Sequence, residues 1–328
     1  MKRYIALITI ITAFVSACSS TFKPTTPPEF ARWYQDCWDD FNQRKWAAFS
    51  NCYAGSATSQ QPGYGKLSVT GAASIVKAFQ DIAKTFPDAR GEAQLILVNG
   101  THIAGIYLLK GTHTGVILGP DGKEIPPTNR KIGVLFGHAI EVDPASARIV
   151  KAIGVIDGIT LENQLGLLKF AGRPYMETLN AVPTIVIAKN DVIEMQSLEA
   201  ERQHIESWNK HDAAAADMHL SDTYVLHDLR LTMDLHKAEA SAMTKAFWTG
   251  FSDAKLNASS IWAAGDFVVS VGTFDGTNDG EFAPLRLNKT GRKASLPFVN
   301  IFLLQDGKVN AEWMFSDNAT FANQLGFK

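Results

Sequence analysis

The hydrophobic pattern divides the chain into two halves that each begin with an amphipathic helix. Apolar residues recur at helical spacing from Phe30 to Phe49 and again from Asp191 to Trp208. Each helical stretch is followed by apolar runs typical of strands. The predicted strands are residues 93–98, 103–109, 132–142 and 149–156 in the first half, and 258–263, 267–274, 294–304 and 309–315 in the second. Helices followed by strands with short turns predict an α+β fold, in which each half is an antiparallel sheet with helices packed on one face.

Three sequence landmarks recur in the same order and indicate a duplication. Residues 111–115 recur as 272–276, residues 128–131 as 290–293, and residues 157–167 as 317–327. A length of 328 residues also suits two domains, each able to bury its own core. We therefore predict a first domain at residues 29–168, a linker containing Gly and Pro at 169–189, and a second domain at 190–328.

The N-terminus has a pattern of its own. Lys2 and Arg3 precede an apolar run of about a dozen residues, shorter than the roughly 20 that a spanning helix needs. The quartet ending in Cys18 resembles the bacterial lipobox, whose cysteine is acylated and becomes the new N-terminus. The alternative is an ordinary cleaved signal with a chance cysteine. We predict a signal peptide at 1–18, a tether at 19–28 and a lipid anchor on Cys18.

Composition and cysteine usage refine this prediction. By resemblance to other lipoproteins, Ser19 after the cysteine implies the cell envelope, at the outer membrane facing the periplasm. In that oxidising compartment Cys37 and Cys52 are predicted to form a disulfide, with two buried free thiols as the alternative. The formal net charge of −2, or −4 after removal of Lys2 and Arg3, gives no attraction to nucleic acid.

The motifs together resemble the SnoaL-like polyketide cyclases of the nuclear transport factor 2-like superfamily. The resemblance rests on Trp208-Asn209 after a first helix, on Gly-Thr-His-Thr-Gly at 111–115, on Pro-Pro-Thr-x-Arg at 126–130, and on Asn-Gln-Leu-Gly at the end of each half. It implies two NTF2-like cones, each a curved antiparallel sheet wrapped by its N-terminal helices around an apolar pocket. Family members commonly dimerise through the outer sheet face, so a fused pair predicts a monomer with internal pseudo-two-fold pairing.

The resemblance also implies where catalysis would occur. The family's cyclases use a strand carboxylate as acid and base on an enolisable ester, in an apolar site that raises the pKa of the group toward neutrality. That carboxylate lies three positions before the aspartates matched by Asp157 and Asp317. Gly154 and Met314 stand there instead. Neither half carries the family's residue, which argues against cyclase chemistry.

Other polar residues remain candidates. His138 shares strand parity with apolar neighbours and aligns with a pocket histidine of the family, and Asn300 matches it in the second half. Each can bond either a ligand or the protein itself. His227 and Asp228 could supply an imidazole and a carboxylate, although adjacent strand residues point to opposite faces. The first half has only the featureless residues 54–56 at that place.

The remaining candidates have a structural alternative as well. His113, at a Gly-rich strand end, either binds a ligand or is exposed. Asp157 and Asp317 either bind a ligand or cap the short helices that close at Gly166 and Gly326. The sequence has no spaced Cys/His set, no Gly-rich phosphate loop and no Gly-x-Ser-x-Gly elbow, so we predict no metal and no cofactor.

Two functions stay open at this point. The first is a protein that binds a small apolar molecule, polyketide-like or lipid-like, or that acts as an interaction scaffold. The second is an isomerase, cyclase or dehydratase with a His-based acid and base. An open cone with His138 or His227 within about 3 Å of a second polar group would favour chemistry. A cone filled by Phe and Trp side chains would favour a scaffold.

Overall fold

A computed structural model shows two domains of one architecture, one in each half of the chain. It describes residues 23–60, 68–118, 123–167, 172–177, 182–229, 231–316 and 318–326. Cys18 and Asp317 lie outside the described residues, and with them the predicted lipid anchor and the second predicted cap. No helix among the described residues is long and apolar enough to cross a membrane.

The first domain contains helices packed on a large sheet. Its helices are α1 (Pro27–Asn42), α2 (Trp46–Asn51), α3 (Ala72–Thr85) and α4 (Gly158–Gln164). Its strands are β1 (Tyr53–Gln60), β2 (Val69–Thr70), β3 (Arg90–Asn99), β4 (His102–Thr112), β5 (Ile117–Leu118), β6 (Glu124–Ile125), β7 (Lys131–Asp143), β8 (Arg148–Ile156) and β9 (Thr184–Ile187).

The second domain repeats this order. Its helices are α5 (Val192–Asn209), α6 (Ala213–Met218), α7 (Lys237–Gly250) and α8 (Asn318–Leu325), with a short 3₁₀ turn at Ala283–Leu285. Its strands are β10 (Leu220–Asp228), β11 (Leu235–His236), β12 (Lys255–Ala264), β13 (Phe267–Thr277), β14 (Lys293–Gln305) and β15 (Lys308–Ser316).

Four long antiparallel strands form the body of each sheet, as predicted. The strand order is β2-β1-β8-β7-β4-β3-β9 in the first domain and β11-β10-β15-β14-β13-β12 in the second. Strands β1 and β10, which the hydrophobic pattern did not reveal, join in parallel beside β8 and β15. The sheets are therefore mixed at this edge, where the sequence predicted antiparallel pairing alone.

The predicted linker contributes a strand to the first domain. Residues Thr184–Ile187 form β9, which pairs in parallel with β3 so that Leu95 faces Thr184. Part of residues 169–189 thus completes a sheet instead of only joining two domains. Because β9 leads directly into α5, it also fixes the point where the second domain begins.

The sheet register corrects one landmark of the duplication. In residues 111–113 and 276–278 the threonine N–H and hydroxyl both bond an aspartate, Asp88 in the first domain and Asp253 in the second. The match of 111–115 to 272–276 was therefore wrong by four residues. A Gly-Thr pair occurs twice in β13, at 272 and at 276, and only strand pairing distinguishes them.

The predicted helix from Phe30 to Phe49 is broken into α1 and α2. Arg44, in the turn between them, has a left-handed backbone with φ 60°, and its guanidinium donates to the carbonyls of Pro87 and Ala89. The predicted disulfide between Cys37 and Cys52 joins α1 to the residue that follows α2. These links hold the helical layer against the sheet.

The two domains pack through the outer faces of their sheets, as the fused-pair prediction requires. One apolar cluster draws on both halves, with members that include Leu95, Leu97, Ile106, Ile153, Val155, Trp262, Val269, Val271, Ile301 and Phe315. The packing is close, because a Cβ on Gly137 would lie 2.5 Å from the ring of Phe315. The oligomeric state in solution stays a prediction.

Candidate functional site

Matching hydrogen bonds establish which residues of the two domains correspond. The Asn42 side chain bonds both backbone groups of Gly91, and Asn209 bonds those of Leu256 in the same way. This aligns α1 with α5, and the strand register aligns the sheets. The interior pairs are Tyr34 with Glu201, Cys37 with His204, Ala57 with Tyr224, Tyr107 with Gly272, His138 with Asn300, and Ala152 with Glu312.

Aromatic rings fill the interior of the first domain. Trp38 stacks on Tyr107 with ring centroids 4.6 Å apart and meets Phe136 edge-on. His138, 2% exposed, stacks with Tyr34, and its Nδ1 is hydrogen-bonded to the Tyr34 hydroxyl. Burial lowers the pKa of His138 to about 3. The structure thus places the predicted catalytic His138 as a neutral ring in a packed interior.

The same packing accounts for Gly154 at the position of the family's carboxylate. A Cβ on Gly154 would lie 2.5 Å from the ring of Phe136 and 3.3 Å from that of His138. A carboxylate therefore cannot occupy this position while both rings stay in place. The glycine is a consequence of filling the cone.

The second domain keeps a cavity of about 110 Å³ at the corresponding place. Gly272 stands where the first domain has Tyr107, so the ring that stacks on Trp38 has no counterpart. Aromatic and apolar side chains form most of the wall, among them Trp208, Met243, Phe247, Phe274, Phe298 and Phe302. A concave, mostly apolar space with a few polar groups is the usual form of a small-molecule site.

Glu312 is the central polar group of this cavity. It is 5% exposed; the Tyr224 hydroxyl donates to its Oε2 at 2.7 Å and Asn300 Nδ2 donates to its Oε1 at 3.1 Å. Burial raises the pKa of Glu312 to about 7, with Glu201 adding to the rise and His204 opposing it. A carboxyl with such a pKa exchanges its proton near neutral pH, as general acids and bases do.

A carboxylate and an imidazole on α5 form a second polar pair in the cavity wall. Glu201 is 0% exposed, and its Oε2 lies 3.2 Å from His204 Nδ1. Burial raises the pKa of Glu201. Burial lowers the pKa of His204, but Glu201 and more distant carboxylates outweigh this, so that its net pKa is raised. This favours an ion pair at neutral pH.

The disulfide of the first domain corresponds to two imidazoles in the second. The carbonyls of Cys52 and His219 each accept a hydrogen bond from the second residue of the neighbouring strand, Ile149 in β8 and Val309 in β15. Cys52 therefore matches His219, as Cys37 matches His204. The rings of His204 and His219 lie 6.0 Å apart. A covalent link in the filled cone is thus replaced by titratable groups beside the hollow one.

The structure does not bring His227 and Asp228 together as a pair. His227 stacks on Trp313, and its Nδ1 lies 2.9 Å from Asp234 Oδ2. The other oxygen of Asp234, Oδ1, accepts a hydrogen bond from Arg173 at 2.8 Å. Neither His227 nor Asp228 is among the residues that line the cavity. Strand pairing gives Gln60 as the first-half counterpart of His227, which corrects the assignment to residues 54–56.

His113 is buried, contrary to the alternative that it is exposed. The Thr128 backbone N–H donates to its Nδ1 at 3.2 Å, and Asn278 accepts from Thr290 in the same way in the second domain. Burial lowers the pKa of His113. Both side chains hold a loop in place and lie outside the described cavity.

Asp157 caps α4 by accepting a hydrogen bond from the backbone of Thr160 at 3.0 Å, which is one of the two roles predicted for it. Burial raises the pKa of Asp157 to about 6, while its bonds to Thr160 and the charge of Arg173 oppose the rise. Arg173 also donates to the carbonyl of Asp228 at 3.0 Å, so Asp157 lies close to the contact between the domains.

Sequence reasoning missed Glu312, Glu201 and His204. Glu312 lies two residues before Met314 on the same strand face, so side-chain parity was the available signal. On α5 the i, i+3 spacing of Glu201 and His204 within an apolar helix face was a second signal.

Parts of the chain are similar to several solved structures. Among solved structures, AclR from Streptomyces galilaeus is 23% identical (TM-score 0.37, covering 40% of this chain and 86% of that protein). IdmH from Streptomyces antibioticus is 22% identical (TM-score 0.36, covering 42% and 98%). TsrD from Streptomyces laurentii is also 22% identical (TM-score 0.36, covering 40% and 96%). No curated protein gave a significant match to the sequence.

The family comparison covers most of the chain. The model of the SnoaL-like polyketide cyclases matches residues 29–165 and again residues 198–325. Each match contains one helical layer, one sheet and one cone interior. The chain therefore belongs to the SnoaL-like polyketide cyclase family, with one domain of that family in each half.

Proposed function

We propose that the second domain binds a small, largely apolar molecule, polyketide-like or lipid-like, and exchanges a proton with it through Glu312. The first domain is a packed scaffold that supports the second through their shared apolar contact. The observation that carries the proposal is the hollow, aromatic cavity with a buried carboxyl whose pKa is about 7. Around the corresponding residues of the first domain, Tyr34 and His138, the rings are stacked on each other.

The chemistry follows from the position of Glu312. As a carboxylate it would take a proton from a carbon next to a carbonyl, leaving an enolate, and as an acid it would return that proton to carbon. Tyr224 and Asn300 fix the orientation of the carboxyl. The apolar wall excludes water, which keeps the pKa of Glu312 near the working pH.

A second candidate function is binding without turnover. Met314 at the family's carboxylate position favours it, because Glu312 is set two residues further from the aspartate landmark. In that case Glu312 would only accept a hydrogen bond from the ligand.

Binding is tested by native mass spectrometry of the protein purified from its own envelope. We expect a retained small molecule in the wild-type protein and its loss in Ser270→Phe, since Ser270 is buried and lines the cavity. Thr223→Phe, at an exposed strand position outside the cavity wall, is the matched control and should keep the molecule. Absence of any bound molecule from the wild-type protein would count against the proposal.

Catalysis is tested separately with 2-indanone, an enolisable ketone, by following exchange of its α-protons in deuterated water by NMR. We expect the protein to accelerate exchange and Glu312→Gln to lose about 100-fold or more of that acceleration. Equal exchange by the variant and the wild-type protein would leave binding without turnover as the function.

We further propose that the protein is held in the cell envelope by a lipid on Cys18. The support is the N-terminal sequence, where a short apolar run ends in a lipobox-like quartet. Metabolic labelling with palmitate should mark the wild-type protein and leave Cys18→Ala unmarked. Label in both proteins, or in neither, would exclude this anchor.

A further inference from the structure

Two acceptor oxygens and two serine hydroxyls that line the second cavity have no hydrogen-bond partner among the described residues; the hydroxyls are those of Ser270 and Ser316. Glu201 Oε1 and Asn300 Oδ1 are buried and have no hydrogen-bond partner among the described residues. Both residues line the cavity and are at least nine-tenths buried. Leaving such atoms without a partner costs about 1–3 kcal/mol each, so a missing donor is expected.

The first domain shows a direct hydrogen bond between the corresponding side chains. Tyr34 and His138, the counterparts of Glu201 and Asn300, are hydrogen-bonded to each other directly. In the second domain both counterparts present acceptor oxygens, because Asn300 uses its Nδ2 to donate to Glu312. A single group with at least two hydrogens could satisfy both acceptors, since they line the same cavity.

The charge around this gap is negative. Carboxyl groups line the cavity from three elements: Glu201 on α5, Asp217 on α6 and Glu312 on β15. His204 on α5 is the cation among the lining residues, and Tyr224 on β10 is neutral because its pKa is raised well above the ordinary value, mainly by burial. Aromatic rings of Trp208, Phe247, Phe298 and Phe302 complete the wall. Excess carboxylates and ring faces both favour a cation.

We propose that this cavity binds a protonated amine on an apolar body, with its N–H groups bridging Glu201 and Asn300. The inference rests on the proposed function, since it names the head group of the molecule that the second domain holds. Glu312 stays available for proton exchange, because its own two oxygens are already oriented by Tyr224 and Asn300.

The test compares four probes that share one ring and differ in head group: benzylammonium, benzyltrimethylammonium, benzyl alcohol and benzoate. The readout is the methyl signals of Met243 and Met314, which line the cavity, in methionine-labelled full-length protein. At neutral pH we expect benzylammonium to bind at least about tenfold more tightly than each of the others, as a charge-assisted hydrogen bond implies.

Variants locate the effect. Glu201→Gln supplies its own donor toward Asn300 and removes the charge, so the preference for benzylammonium should fall to about twofold or less. Glu206→Gln, on the same helix with an exposed side chain bonded to Lys210, should keep the full preference. If Glu201→Gln does not fold, the comparison of probes on the wild-type protein still decides.

Three outcomes would overturn the inference. If benzyltrimethylammonium bound as tightly as benzylammonium, N–H donors would not contribute to binding. If benzyl alcohol bound as tightly as benzylammonium, the positive charge would not contribute to binding. Both would leave a cavity that binds small molecules, so the proposed function would survive. No methyl shift with any probe would remove the ammonium site and the proposed ligand cavity together.

Discussion

Glu312→Gln is expected to stabilise the second domain by about 3 kcal/mol at pH 8 and to change its stability little near pH 4. The pKa of Glu312 is raised from 4.5 to about 7 in the folded protein, first by burial. Between these values the unfolded chain loses its proton while the folded protein keeps it. Stability therefore falls as pH rises from 4.5 to about 7, and the loss persists above pH 7. Glutamine has the same shape without the charge.

Chemical denaturation of both proteins at the two pH values measures this difference. Asp157, whose pKa is raised to about 6 by burial, and His204, whose pKa is raised by its carboxylate neighbours, also make stability fall with rising pH. The comparison between variant and wild type removes the contribution of Asp157, whereas part of the His204 contribution stays in the measured difference because the charge of Glu312 helps to raise the pKa of His204. Glu206→Gln, fully exposed, should show no gain at either pH. If Glu312→Gln were no more stable than the wild-type protein at pH 8, burial of the Glu312 carboxylate would not lower the free energy of unfolding.

This expected gain explains why glutamate at 312 suggests function. A residue that lowers stability by several kcal/mol without packing benefit persists where activity or binding requires it. The first domain has Ala152 at the same position, 2% exposed and packed among rings. The two domains thus share one fold but differ in their interiors: the first is packed and the second contains a cavity.

Trp38→Ala is expected to lower the free energy of unfolding of the first domain by about 3–5 kcal/mol. Trp38 is buried and touches Phe41, Phe79, Tyr107, Phe136 and His138. Removing the indole leaves a space that these rings cannot close. A loss of unfolding free energy of this size is expected only if the interior around Trp38 is tightly packed.

The matched change is Ile205→Ala, at the corresponding position in the second domain. Ile205 is only partly buried and lines an existing cavity. Ile205→Ala should therefore lower the free energy of unfolding by less than about half of the loss in Trp38→Ala. Denaturant unfolding of both variants gives the comparison. Equal losses at the two positions would mean that the two cones are packed alike.

The fold followed from the sequence wherever a pattern had one explanation. The long strands and the opening helices were predicted because alternation and helical spacing are local properties. The parallel strands β1 and β10 were not, since several of their side chains are exposed and the alternation along them is irregular. The match of β13 to the first domain was wrong by four residues because a Gly-Thr pair occurs twice in this strand.

The site was harder to predict because it depends on which side chains face each other. Whether the cone is hollow is decided by pairs such as Tyr107 and Gly272, and their equivalence appears only once strands are paired. His138 looked like a catalytic residue because parity placed it inward, which is correct. That Tyr34 and Trp38 fill the space before it is a tertiary fact that no local pattern contains.

Glu312, a carboxyl in a hollow second cone, is expected to exchange its proton near neutral pH. The direct measurement is a pH titration of the glutamate side-chain carboxyl carbons by ¹³C NMR, with the Glu312 signal assigned by its absence from Glu312→Gln. We predict a midpoint near the value of about 7 that burial imposes on this group. A midpoint near 4.5, the ordinary value for glutamate, would mean that the carboxylate is solvated by water and does not exchange its proton near neutral pH.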